Sequence, residues 1–183
     1  MTAPERPRLY LVAPAGIAPT DVLAALGGGD VAALELIAAV PGLIAAIQAR
    51  GVAVLVRDDV AAARGADGVV LSEPDADVAD ARRALGPGAI VGACAATRHG
   101  AMVAGEAGAD VLAFDNLDLL AWWAGTMVVP CLARGIATPA DVAAAVAAGA
   151  DFLAVDEAVW HATAGPADAI AALNEAVDRA WPS

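Results

Sequence analysis

The sequence predicts one compact (β/α)8 barrel, an α/β fold in which eight parallel strands alternate with helices. Three observations predict it. Short apolar runs with the length of fully buried strands occur eight times, and alanine-rich helical stretches alternate with them. One junction repeats: Gly65-Ala66-Asp67-Gly68, Gly108-Ala109-Asp110 and Gly149-Ala150-Asp151 each precede an apolar run, with a shorter version at Gly29-Asp30. Its glycine suits the left-handed cap that ends a helix. No linker, low-complexity tract or second domain interrupts the 183 residues, so residues 1–183 are read as a single domain. An open doubly wound sheet is the competing arrangement, and eight units favour closure.

The elements follow in order. Strand one is Leu9–Ala13, and Thr20-Asp21 opens the helix behind it. Strand two, Ala32–Ile37, contains Glu35, and strand three is Ala53–Arg57. Asp59–Arg64 leaves room for only a short helix before strand four, Gly68–Leu71. Asp75-Ala76-Asp77 opens the helix leading to strand five, Ile90–Ala93, and Thr97 caps the next one. Strand six is Val111–Phe114. A second short helix, Asp118–Gly125, carries Trp122 and Trp123, with one indole on the barrel and the other half exposed. Strand seven is Val129–Ala133. Thr138-Pro139-Ala140-Asp141 pairs a capping threonine with proline at the first helical position, and strand eight is Phe152–Val155. Such barrels typically use ~250 residues, so helices and mouth loops here must be short.

Composition removes whole functional classes. All ten basic residues are arginine. Without lysine there is no Schiff-base aldolase, no pyridoxal-phosphate enzyme and no lysine clamp on phosphate. A nucleotide cofactor is not expected either. The alanine, arginine and glycine bias of a GC-rich genome accounts for much of this absence. The net charge of −12 without a basic cluster argues against nucleic acid. Mean hydropathy is +0.65, yet no apolar run is long enough to span a membrane. The first residues lack a signal-peptide layout, so a cytoplasmic location is expected. Cys94 and Cys131 lie inside apolar runs and read as buried, reduced thiols.

In such barrels chemistry sits at the C-terminal ends of the strands. The polar residues there are Glu35 within strand two, Arg57, Asp58 and Asp59 after strand three, and Asp75 after strand four. Thr97, Arg98 and His99 follow strand five, and Asp115 and Asn116 follow strand six. Arg134 and Gly135 follow strand seven, and Asp156 and Glu157 follow strand eight. So many carboxylates repel one another unless a cation or an arginine relieves them. Asp58 and Asp75, after adjacent strands, could share one Mg²⁺, or each could cap the helix that follows it. Arg57 and Arg134 are either anion ligands or partners of the carboxylate ring. His99 and Arg134 are the candidates for catalytic groups, although His99 falls in the first turn of a helix, where exposure is expected. The expected partner is a small molecule at this face. A homodimer with the tryptophan pair at its contact is a further expectation.

These strand ends carry a family resemblance. Leu9-Tyr10-Leu11-Val12, Ala66-Asp67-Gly68-Val69-Val70-Leu71, Gly86-Pro87-Gly88-Ala89-Ile90-Val91-Gly92 and the segment from Thr138-Pro139 through Gly149-Ala150-Asp151 resemble the thiamine-phosphate synthase and thiazole tautomerase family. The resemblance covers nearly the whole chain. It implies a (β/α)8 barrel that joins a pyrimidine pyrophosphate to a thiazole phosphate with Mg²⁺, held by residues matching Asp58 and Asp75.

The chain also departs from that pattern. Where the family carries a Q-L-R-x-K grip on pyrophosphate, this chain reads Glu35-Leu36-Ile37-Ala38-Ala39. The asparagine before the metal aspartate is Arg57. The lysine-bearing loop after strand six is Phe114-Asp115-Asn116-Leu117, and the tautomerase histidine falls on Asn116. The phosphate-binding I-G-G-I reads Ala133-Arg134-Gly135-Ile136, and Glu157 begins the segment after strand eight. Pyrophosphate needs several cations or free amides. The expectation is therefore a thiamine-phosphate synthase-like protein that has lost much of its phosphate grip. The alternative is a catalytically inactive paralogue that binds a small molecule or a protein partner, and a barrel turned to another reaction comes third.

Overall fold

The computed structural model describes residues 5–73 and 76–181. Eight parallel strands close on themselves in sequence order: β1 (Arg8–Ala13), β2 (Val31–Leu36), β3 (Ala53–Arg57), β4 (Gly68–Leu71), β5 (Ile90–Cys94), β6 (Val111–Phe114), β7 (Cys131–Ile136) and β8 (Phe152–Val155). The helices are α1 (Pro19–Ala25), α2 (Pro41–Gln48), α3 (Val78–Leu85), α4 (Arg98–Glu106), α5 (Leu117–Thr126), α6 (Pro139–Ala147), α7 (Glu157–Trp160) and α8 (Pro166–Ala180). The closed barrel excludes the open sheet.

Strand alternation sorts the side chains. One face of each strand points into the lumen and the other packs under the helices. The lumen layer takes one residue from every strand: Tyr10, Ala33, Leu55, Val70, Cys94, Ala113, Leu132 and Ala154. The opposite faces supply Leu9, Leu34, Val54, Val69, Val91, Leu112, Cys131 and Leu153 to a second core, where Val22, Ile47, Leu120, Val142 and Ile170 of the helices meet them. Eight strands leave a lumen just wide enough for these side chains to fill.

The repeated Gly-Ala-Asp junction is a staple at the N-terminal end of the barrel. Asp67 donates its amide to Val54 O at 2.8 Å, while its Oδ2 accepts from Val54 N at 2.7 Å. Asp110 does the same to Val91, with its Oδ2 accepting at 2.8 Å. Asp151 does it to Cys131, with its Oδ2 accepting at 2.7 Å. The shorter version differs: Asp30 takes the guanidinium of Arg8, with Nη2 at 2.6 Å. Gly108 and Gly149 lie at φ 96° and 90°, as the helix-ending role requires. Gly65 does not; it ends a 3₁₀ turn. Gly68 is needed for a different reason, because a Cβ there would sit 1.9 Å from Ile90 O.

Several boundaries shift from expectation. α1 starts at Pro19 with no side-chain cap, so Thr20 lies inside it. The Asp59–Arg64 helix is only a 3₁₀ turn over Ala62–Gly65, with Asp59 Oδ1 accepting from Ala62 N at 2.9 Å. α5 is longer than expected, at ten residues. β7 begins two residues late, since Val128 is 97% exposed and Pro130 has no N–H to donate. It runs on through a register shift between Ala133 and Ile136, where Gly135 takes φ 73°. Thr138 and Asp141 form the expected reciprocal cap of α6. Trp123 is buried and gives its indole N–H to Val129 O, whereas Trp122 is half-buried under Arg98. Cys94 and Cys131 are both buried and free.

Candidate functional site

The floor of the C-terminal mouth is built by β1, β2 and β3. Tyr10, Glu35 and Arg57 share the lumen-facing parity of three neighbouring strands. Glu35 is 4% exposed and is the only buried charged residue among those described. Its Oε2 accepts from the Tyr10 hydroxyl at 3.0 Å, and its Oε1 accepts from Arg57 Nε. A carboxylate at this depth without partners would cost several kcal/mol. Burial, reinforced by the Glu35 charge, holds the Tyr10 hydroxyl well above its ordinary range and keeps it a donor.

Arg134 enters from β7 on the opposite side. Its Nη1 donates to Cys94 Sγ at 2.8 Å, and its Nε lies 3.4 Å from Asp115 Oδ1 at the end of β6. Burial opposes the Arg134 charge, but Cys94, Asp115 and Glu35 together hold its pKa above the usual value. Burial pushes the Cys94 thiol up against the pull of Arg134, so it stays protonated at neutral pH.

Between these two arginines lies a cavity of about 200 Å³, bounded by Val12, Arg57, Arg134, Asp156, Glu157 and Trp160. Trp160 is fixed across its β1 side, with the indole N–H on Val12 O at 2.7 Å. α7, the short extra helix after β8, is where barrels of this architecture often receive phosphate on free backbone amides. Here Asp156 caps that helix, and its Oδ1 accepts from the Glu157 amide at 2.6 Å.

The structure thus gathers Glu35, Arg57, Asp115, Arg134, Asp156 and Glu157 in one mouth. Three other candidates do not line the cavity between the arginines. His99 is exposed on the first turn of α4 and faces a groove of about 480 Å³ against α3, between the helices and away from the strand ends. Asn116 caps α5, accepting from Leu119 N at 2.9 Å. Gly135 serves the bend in β7 and offers no side chain.

Asp58 does not cap a helix. It sits in left-handed backbone at φ 53°, an uncommon conformation for a residue with a side chain. Its amide donates to Val70 O at 2.9 Å, its Oδ1 accepts from Ser72 N at 2.7 Å and its Oδ2 accepts from the Ser72 hydroxyl. Oxygen donors suit Mg²⁺, yet both Asp58 oxygens are engaged, and no group of three His, Cys, Asp or Glu converges among the described residues. The described donors alone therefore fall short of a Mg²⁺ site. Asp75, the expected second ligand, lies outside the described residues.

Two mouth residues have no counterpart in the sequence expectation, Tyr10 and Trp160. Strand parity could have found Tyr10, the only tyrosine of the chain. Nothing local marks Trp160 as the wall of a cavity.

Fold and mouth define a class: a compact (β/α)8 barrel with its polar residues gathered at the C-terminal ends of the strands. A family model described as thiamine monophosphate synthase matches residues 26–159. The thiamine-phosphate synthase of Rhodospirillum centenum is 41% identical, with 91% of this chain and 96% of that protein covered. That of Hyphomonas neptunium is 40% identical, covering 94% and 96%. The solved structure of thiamine phosphate pyrophosphorylase from Pyrococcus furiosus superposes with a TM-score of 0.84 over 97% of this chain and 98% of that one; at 23% identity this speaks for the fold. The chain belongs to the thiamine monophosphate synthase family. Among the described residues, no helix is long and apolar enough to cross a membrane.

Proposed function

We propose that this chain is a thiamine-phosphate synthase-like protein that holds a small molecule of thiamine metabolism in its C-terminal mouth and no longer grips pyrophosphate well enough for ordinary transfer. The observation that carries this reading is the Asp156 carboxylate on the Glu157 amide, at the helix end where a phosphate would bind. Glu35 on Arg57 and Asp115 beside Arg134 support it, since each mouth arginine already has an anion. Each lost charged contact to phosphate costs on the order of 1.5–3 kcal/mol, so several together remove useful affinity. The test supplies the pyrimidine pyrophosphate, the thiazole phosphate and Mg²⁺ and follows thiamine phosphate by mass spectrometry. No product above the uncatalysed rate is expected, and turnover at an ordinary enzymatic rate overturns the reading.

A second reading keeps the synthase reaction. It is favoured by Asp58, whose carboxylate is aimed by Ser72 at the end of β3, and by the identity to thiamine-phosphate synthases along the chain. On that reading Mg²⁺ would be held by Asp58, Asp75, water and substrate oxygens, and would assist departure of pyrophosphate. Asp58→Asn with Asp75→Asn should then weaken Mg²⁺ binding in titration calorimetry; unchanged binding removes the metal from this site.

A further inference from the structure

The carboxylates that occupy the mouth are not equivalent. Asp115 has 83% of its side chain exposed, and Asp156 and Glu157 are exposed as well. Water and salt screen such charges, and exposed ion pairs contribute little. Glu35 is buried, is held from below by the Tyr10 hydroxyl, and faces Arg57 with little intervening solvent. A charge in that position is screened far less than one at the rim.

Arg57 and Arg134 reach the same cavity of about 200 Å³ from β3 and β7. Among the described residues, Arg57 uses only Nε for a protein partner, and Arg134 uses Nε and Nη1. A guanidinium carries five donors in a planar fork. Toward the described residues, both side chains therefore keep unused N–H groups at a cavity that can hold one small oxyanion.

We infer that Glu35 is the specificity-determining residue that closes this mouth to anions, and that Arg57 and Arg134 form a latent receptor for a single tetrahedral oxyanion beside it. This rests on the proposed loss of the pyrophosphate grip and names the residue that closes the arginine side of the mouth, while Asp156 occupies the α7 amide on the other. Glu35 neutralises Arg57 from inside the barrel, where solvent cannot substitute for it. Removing that one charge, with its shape kept, leaves two guanidinium groups converging on the cavity. The exposed acids at the rim then lower the affinity only modestly.

The test titrates inorganic phosphate into the whole protein by calorimetry at low salt. The parent should bind with a dissociation constant above about 10 mM, and Glu35→Gln should bind at least about tenfold more tightly, the worth of one recovered charged contact. Glu35→Met removes the same charge without burying an amide and serves where Glu35→Gln folds poorly; it should show the same gain. Arg57→Gln added to either variant should abolish the gain. Asp115→Asn and Asp156→Asn alone should each gain less than about threefold, as screened surface charges do. No gain in the folded Glu35 variants, a gain that survives Arg57→Gln, or an equal gain from the exposed acids overturns the inference while leaving the proposed function standing. Parent affinity tighter than about 1 mM sinks both, because the mouth would then already be an anion site.

Discussion

Removing the Asp151 carboxylate isolates a single contact of the repeated junction. Its Oδ2 accepts one bond, from Cys131 N at 2.7 Å. Cys131 is fully buried, so Asp151→Ala leaves the amide at the start of β7 without its side-chain acceptor. A hydrogen bond to a charged acceptor is worth about 1.5–3 kcal/mol, and a stranded buried donor costs about 1–3 kcal/mol. These are two views of the same loss, so about 2 kcal/mol is expected. At this chain length about 2–4 °C of melting temperature accompany each kcal/mol, giving a fall of about 4–8 °C. Asp151→Asn keeps an oxygen in place and should lose about half as much, because a neutral bond is worth about 0.5–1.5 kcal/mol. Urea unfolding followed by far-ultraviolet circular dichroism, with a thermal melt alongside, measures both. A loss below about 0.5 kcal/mol for Asp151→Ala, or an Asn variant as unstable as the Ala variant, refutes the reasoning. The equivalent bonds of Asp67 and Asp110 share no partner with it, so the three losses should add. Together they approach the 5–15 kcal/mol that typically holds a domain folded.

Other outcomes follow from the same structure. Thr138→Ala removes the α6 cap and should cost about 1 kcal/mol in urea unfolding. Hydrogen bonding from the Arg8 guanidinium holds the Asp30 carboxyl below its usual range. That stabilisation is complete above the unfolded value of about 3.9 and is lost as pH falls through the lower folded one. Arg8→Gln should therefore differ from the parent at pH 7, by less than about 1 kcal/mol for so exposed a pair, and match it near pH 2. Burial pushes the Cys131 thiol up to about 12 and raises that of Cys94. A thiol-disulfide reagent at pH 8 should label neither in the folded protein and both in urea.

Regular backbone left clear marks in the sequence, and contacts across the lumen did not. β3, β4, β6 and β8 match their expected ranges residue for residue, because each is a short apolar run one or two residues behind a glycine or aspartate. β7 was misplaced because Val129 and Pro130 look like strand on hydropathy alone, and only the exposed turn at Val128 moves the start. Glu35, Arg57, Arg134, Asp115, Asp156 and Glu157 were foreseeable as strand-end residues of a barrel, and the carboxylate–arginine pairing followed from their charge. Which acid meets which arginine was not foreseeable. Glu35 and Arg57 stand 22 residues apart in the chain and meet through the register of paired strands β2 and β3, whereas Cys94 and Arg134 stand 40 apart and meet across β6 through the curvature of the closed sheet. Asn116 and His99 do not line the arginine cavity, for a common reason. Polar residues just after a strand are also the ones that begin the next helix, and each of these two went with its helix.

The staples alternate around the barrel. Asp67 ties β4 to β3, Asp110 ties β6 to β5, and Asp151 ties β8 to β7, while Asp30 joins β2 to β1 through Arg8. Every even strand thus clips the odd strand before it, and Ala53, Ile90 and Cys131, which open the odd strands, bring no aspartate of their own. The carboxylates thus bind the strands two by two, and the carbonyls of Asp67 and Asp151 reach across the seams, accepting from Ile90 N at 2.8 Å and Arg8 N at 3.1 Å. A chain cut or permuted at a seam would keep every side-chain staple and give up only a backbone bond at the base, far from what the mouth holds.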